Sequence, residues 1–192
     1  FDTVYYGLGY EQTQLNGTLV GMPLNYQIYI EEFGRNSNSV PLTLGWSRDE
    51  RDSAVTPNAG SLKRVTGEWS VGGDLRYLRL NLQYQLYIPI TRQITYGFNT
   101  EFGYGVGLNG QPYPVFKNFY GGGLGSVRGF EQGSLGPIDV TGAFIGGTRR
   151  FNLNNELYLP VPGTGNDRSL RVFGYLDVGN VWGADQEVTF DS

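Results

Sequence analysis

Between Leu75 and Ile90 the side chains change character at every residue. Leu78, Leu80, Leu82, Tyr84, Leu86 and Ile88 alternate with Arg79, Asn81, Gln83, Gln85 and Tyr87. Side chains on an extended chain point alternately to opposite faces, so a period of two over this length predicts a strand with one apolar and one polar face. The following segment, Arg92 to Gly107, repeats the pattern. Ile94, Tyr96, Phe98, Phe102, Tyr104 and Val106 point one way, and Gln93, Thr95, Gly97, Asn99, Glu101, Gly103 and Gly105 the other. Only Thr91 and its neighbours separate the two, which predicts a tight hairpin.

Weaker alternation places further strands at Asp2–Gln14, Val40–Trp46, Leu62–Val71, Thr148–Leu159 and Leu170–Trp182, giving seven in all. Leu62–Val71 runs into the turn signal Gly72-Gly73-Asp74. Two stretches do not alternate. Pro23–Phe33 reads as a short helix within a loop. Leu108–Gly147 is a long Gly-rich loop, and a loop of that length is functional or disordered more often than not.

Such a meander fits a lipocalin-like barrel or a sandwich as well as a membrane barrel. Two features favour the membrane. The central strands, at about 13 to 16 residues, exceed the ~5–6 usual in globular proteins and cover the ~9–11 needed to cross a bilayer. The polar faces, moreover, carry ionisable and amide groups interleaved with Gly97, Gly103 and Gly105. That combination suits a hydrated lumen with something packed closely against its wall. No apolar run approaches the ~18 residues of a spanning helix, which leaves barrels untouched because a barrel strand hides its apolar residues at every second position.

Richness in Gly, Tyr and Phe (30, 14 and 11 residues) with a single Met supports β-structure with many turns. A net charge of −4 implies no cationic face and hence no nucleic-acid partner. With no His and no Cys, Ser-His-Asp and Cys-His catalysis and the commonest zinc sites are unavailable. The glycines around Gly121–Gly129 do not have the spacing of a nucleotide cradle and open no helix. Glu68, Glu101, Glu156 and Asp177 would face a lumen, where acids pair with neighbouring Arg or water more often than they act as a glycosidase couple. The Tyr and Trp residues read as lipid-facing and interfacial groups rather than a sugar platform. No catalytic, cofactor-binding or metal-binding residue is therefore assigned, no cofactor is expected, and the chain is read as not an enzyme.

Within the long loop lies Phe116-Lys117-Asn118-Phe119-Tyr120-Gly121-Gly122-Gly123, then Gly125-Ser126-Val127-Arg128-Gly129-Phe130 and Leu135-Gly136-Pro137. This resembles the sixth extracellular loop of the BamA family of outer-membrane barrel-assembly factors, whose hallmark is Val-Arg-Gly-Phe/Tyr. Asn154-Asn155-Glu156-Leu157 with Pro160 is similar to the strand after that loop, and Asp177-Val178-Gly179-Asn180-Val181-Trp182 to the next. Gly45-Trp46-Ser47-Arg48 and Pro57-x-x-Gly60 are similar to the family's strand, periplasmic turn and strand. The Asn118-Phe119-Tyr120-Gly-Gly run favours this family over TamA and the two-partner secretion transporters.

The resemblance implies an all-β antiparallel meander, residues 1–192, forming part of a sixteen-stranded transmembrane barrel in a bacterial outer membrane. Roughly strands seven to thirteen would be present, without the preceding POTRA domains, and both ends of the chain read as cut. It implies folding and insertion of outer-membrane β-barrel proteins, with membrane lipid, nascent β-barrel proteins and accessory lipoproteins as partners. A polypeptide-secretion pore of the two-partner type and a barrel hydrolase are the alternatives. In the family the loop enters the lumen and its Arg meets acids, which in this chain correspond to Glu156 and Asp177. The expected loop latch is thus Val127, Arg128, Gly129 and Phe130, with Arg128 docked on Glu156, Asp177 or both. Gly-rich flanks allow the backbone to fold back, and a guanidinium can engage inward-facing carboxylates through two parallel charge-assisted bonds.

Overall fold

The computed structural model describes residues 2–163 and 170–184. Phe1, residues 164–169 and residues 185–192 lie outside the described residues, so the endmost residues from which cut ends were read are not described. Alternation becomes strand wherever it is strong. The strands are β1 (Asp2–Leu8), β2 (Glu11–Gln14), β3 (Asn36–Asp49), β4 (Gly60–Gly73), β5 (Tyr77–Pro89), β6 (Thr95–Gly107), β7 (Arg149–Pro160) and β8 (Arg171–Trp182). All pair antiparallel in one sheet of order β1-β3-β4-β5-β6-β7-β8, with β2 also on β3. Among the described residues no helix is long and apolar enough to cross a membrane, which says nothing of a barrel.

The register carries the two faces across the sheet. Leu82 stands between Val65 and Phe102, and Phe102 in turn opposes Phe151; Leu86 opposes Phe98, Leu153 opposes Val178, and Leu159 opposes Val172. The intervening row places Gln83 opposite Glu101, Glu101 opposite Asn152, and Asn154 opposite Asp177. Apolar pairs such as these contribute roughly 0.2–1 kcal/mol each. Their outer surface stays open: Leu78, Leu82, Ile88, Phe102, Leu157 and Val172 are all exposed.

The segment Asp2–Gln14 differs from the single strand expected, because it is interrupted at Gly9 and Tyr10. Leu8 opposes Leu42 and Glu11 opposes Ser39, so both halves keep one register on β3. The gap falls opposite Pro41, whose carbonyl accepts from the Gly9 amide (3.0 Å) but which has no N–H to return. On the other side of Pro41 the β3–β4 ladder shifts register between Val40 and Pro41. The ladder is thus irregular on both sides of β3 at this point.

The helix α1 (Leu24–Phe33) fills the connection between β2 and β3. It ends at Gly34, whose N–H makes the last helical bond to the Ile30 carbonyl (2.9 Å) and whose φ of 81° turns the following chain out of the helix. Pro23 offers no side-chain cap at the other end. Instead the carboxylate of Asp139, from the long loop, accepts from the Leu24 amide (2.7 Å), placing a negative charge where the helix has unsatisfied donors.

Loop 108–147 is ordered structure packed on the polar face. A 3-10 turn at Val115–Lys117 leads into isolated bridges Phe119–Gly147, Gly121–Leu135 and Ile138–Phe144. The buried core lies between this loop and the wall. One cluster joins Tyr29 of α1, Leu75, Tyr77 and Tyr113, with Phe33, Val115 and Phe116 packed against it; another joins Val127 and Leu135 to Val181 of β8. The wall glycines make room. A Cβ on Gly103 would stand 2.6 Å from the Phe119 ring, and one on Gly105 would strike the Tyr113 ring. Phe119 is only 2% exposed, and burial of such a side chain is worth roughly 1.5–3 kcal/mol.

Candidate functional site: the loop tip on the polar face of the sheet

The tip of the loop, Val127–Phe130, sits over β7 and β8. Gly129 has φ 90° with open space around its Cβ position, so it is the left-handed backbone and not crowding that calls for glycine there. Val127 is buried against Gly179 of β8, where a Cβ would stand 2.8 Å from a Val127 methyl. That close approach lowers the neighbouring residue onto the wall. Phe130, by contrast, is exposed.

Arg128 lies between two carboxylates. Its Nε and Nη2 donate to the two oxygens of Asp177 at 2.6 and 2.7 Å, and its backbone N–H adds a third bond to the same carboxylate at 2.9 Å. Nη1 donates to Glu156. The register explains the convergence: Asp177 opposes Asn154 and Glu156 opposes Tyr175, so the two acids lie on one face of neighbouring strands, offset by one pair. The guanidinium also stacks 4.0 Å from the Tyr175 ring and 5.7 Å from Phe173.

The surroundings extend the polar bonding. Tyr158 donates its hydroxyl to the second oxygen of Glu156. Asn154 donates to the Ser126 carbonyl at 2.6 Å and accepts from Asn99 at 3.1 Å, and the Ser126 hydroxyl donates to Asn152 at 3.0 Å. The Asp177 side chain is 2% exposed and that of Arg128 11%, so removing the cation would strand a desolvated carboxylate. Loss of one member of a buried pair costs roughly 3–5 kcal/mol, and the partial exposure of Glu156 places this pair toward the lower end.

Sequence reasoning had named Arg128, Glu156 and Asp177, which the structure brings together, and Val127 and Gly129, which shape the backbone around them. It does not assign Tyr158, Phe173, Tyr175, Asn154 or Ser126 to the site, although Ser126 and Asn154 stand in the quoted motifs. Parity is a usable signal for four of these, since Asn154 and Tyr158 share a face with Glu156, and Phe173 and Tyr175 with Asp177. The other acids of the polar face also have basic neighbours: Glu101 accepts from Arg150 at 2.9 Å and from Gln83 at 3.1 Å, and Glu68 from Lys117 at 2.9 Å.

Comparison with known proteins follows the same lines. The outer membrane protein assembly factor BamA of Neisseria meningitidis serogroup B is 34% identical over 95% of this chain, which covers 24% of that protein. The sorting and assembly machinery component 50 homolog of Mus musculus is 31% identical over 69% of this chain, covering 29% of its own length. The present chain thus spans well under half the length of these relatives. The crystal structure of BamA from Haemophilus ducreyi lacking POTRA domains 1–3 superposes with a TM-score of 0.86 at 24% identity, over 95% of this chain and 39% of that one. The open sheet is accordingly a section of a β-barrel wall. The Omp85 superfamily domain matches residues 2–192, and the chain belongs to that superfamily.

Proposed function

We propose that this chain forms part of the barrel of an assembly factor in the bacterial outer membrane, which promotes folding and insertion of β-barrel proteins. On this reading its partners are membrane lipid, nascent outer-membrane β-barrel proteins and, through other parts of the parent protein, accessory lipoproteins. Its work is conformational and involves no covalent step or cofactor. Val127, Arg128, Gly129 and Phe130 then act as a latch that keeps loop 108–147 inside the lumen, with Glu156 and Asp177 as the keeper. The observation that carries the reading is the three-bond seat of Arg128 on a nearly buried Asp177 within a chain of assembly-factor ancestry. Similarity to both BamA and the sorting and assembly machinery component supports assembly over secretion or hydrolysis.

The test uses the full-length protein and follows folding of a β-barrel client into membranes. Arg128→Ala and Arg128→Glu are expected to impair client folding. Arg128→Lys recovers part of it, since an ammonium keeps the charge and loses the fork. Arg128→Glu combined with Asp177→Arg is expected to regain activity lost in the single variant. Normal client folding by Arg128→Glu would refute the latch.

A further inference from the structure

We propose that Lys117 is a second latch for the loop, tying its base to β2 and β4 through Glu11 and Glu68, independently of Arg128 at the tip. Lys117 Nζ donates to Glu11 at 2.8 Å and to Glu68 at 2.9 Å, and stands 5.3 Å from the centre of the Tyr77 ring. Tyr77 is fully buried and donates its hydroxyl to the same Glu68 oxygen at 2.6 Å. Tyr113, seated over Gly105, holds the Lys117 carbonyl at 3.0 Å. The lysine therefore has its backbone fixed, its stem sheltered and two carboxylates at its head, with its side chain only 15% exposed.

The chemistry parallels the tip: one cation from the loop meets two acids from the wall. The geometry differs in a way that suits lysine. Asp177 and Glu156 lie on adjacent strands and meet a planar fork, whereas Glu11 and Glu68 come from β2 and β4, which flank β3. A compact ammonium with three rotatable donors can bridge separated oxygens that no single fork plane contains. β2 has particular need of the tie. It is four residues long, pairs only with β3 among the described residues, and begins at Glu11 immediately beyond the break opposite Pro41.

Between the two cations, Phe119 lies under the guanidinium of Arg79 from β5 (4.4 Å) and near that of Arg150 from β7 (5.7 Å). Residues 117–128 thus cross the wall in strand order. Lys117 holds β2 and β4, Phe119 meets β5 and β7, and Arg128 holds β7 and β8. A strap fixed at both ends can release its tip while its base stays seated.

This inference rests on the reading of loop 108–147 as a lumen-docked element, but its test reads loop protection and not client folding, so the two can fail separately. Hydrogen exchange is measured on the full-length protein in lipid bilayers for Lys117→Ala, Lys117→Arg, Arg128→Ala and the Lys117→Ala, Arg128→Ala double variant. Lys117→Ala is expected to speed exchange about tenfold or more in residues 11–14 and 115–120, while 124–130 stay protected. Arg128→Ala is expected to show the converse, the double variant both effects, and Lys117→Arg to keep only part of the protection, because a planar fork does not span both acids. Unchanged exchange in Lys117→Ala, or release of the whole loop by either single variant, would overturn two independent latches. If Lys117→Ala does not fold, Lys117→Glu with and without Glu68→Lys decides: regained protection of 115–120 in the pair supports the contact, and none refutes it.

Discussion

Leu82 and Gln83 are adjacent in β5 and stand on opposite faces of the wall, so arginine at each tests the assignment of those faces at one membrane depth. Leu82 lies in the middle of a 13-residue strand, flanked across the ladder by Val65 and Phe102, and is 37% exposed on the apolar face. A guanidinium there has only hydrocarbon and apolar neighbours, and arginine near the bilayer midplane costs about 2–4 kcal/mol. That corresponds to roughly 30- to 700-fold in the folding equilibrium. Gln83 faces a recess of about 170 Å³ whose lining carries the charged Arg64, Glu101 and Arg150 and the amide of Asn81, with Leu82 and Phe102 also in it. Its amide already donates to Glu101 at 3.1 Å, and an arginine can replace that bond with a charged one while meeting some repulsion from Arg64 across the ladder. The two nearly offset, giving a net change within about 1 kcal/mol, the range of exposed ion pairs. Reversible urea unfolding of the intact barrel in phospholipid vesicles, followed by tryptophan fluorescence, measures both. A larger loss for Gln83→Arg than for Leu82→Arg would refute the face assignment.

Gly103→Ala should displace the Phe119 ring and lower stability by about 1–3 kcal/mol through overpacking, whereas Gly67→Ala, with nothing within 4 Å of its Cβ position, should be neutral or slightly stabilising; thermal unfolding of the two variants compares them. Asp139 is held down to about 2, chiefly by the Thr141 hydroxyl and, against the opposing effect of desolvation, by the Leu24, Ala143 and Thr141 amides. Because the folded pKa lies below the unfolded value of about 3.9, its tie to α1 is fully present above pH 4 and is lost as pH falls through 2. A spin-label distance between Ile28 and Val140 should lengthen across that window, and Asp139→Asn should remove the pH dependence; a distance constant to pH 2 in the parent would contradict this.

Much of the wall was legible in the sequence because strand alternation is a local property. Each residue of β5 and β6 reveals its face by its neighbours two positions away, and one face must be apolar throughout to meet lipid. The short helix at Leu24–Phe33 was legible as a break in that alternation. The bare glycines Gly103 and Gly105 marked a wall that something approaches, although not that loop rings do so, whereas the space over Gly97 is taken by Tyr87 and Tyr158 of the wall itself. The pairing of Arg128 with Glu156 and Asp177 was suggested by strand parity and by family resemblance together. Other features depend on which strands lie side by side. Pro41 divides Asp2–Gln14 only because β3 is its partner, a fact of pairing that the alternating residues do not contain. Lys117 is an ordinary cation in an irregular loop until folding brings Glu11, 106 residues away, and Glu68, 49 residues away, to its ammonium. Loop side chains have no periodicity to reveal their direction, so their contacts are set by the wall beneath them. Faces were thus determined by local sequence, and ties between loop and wall by tertiary structure.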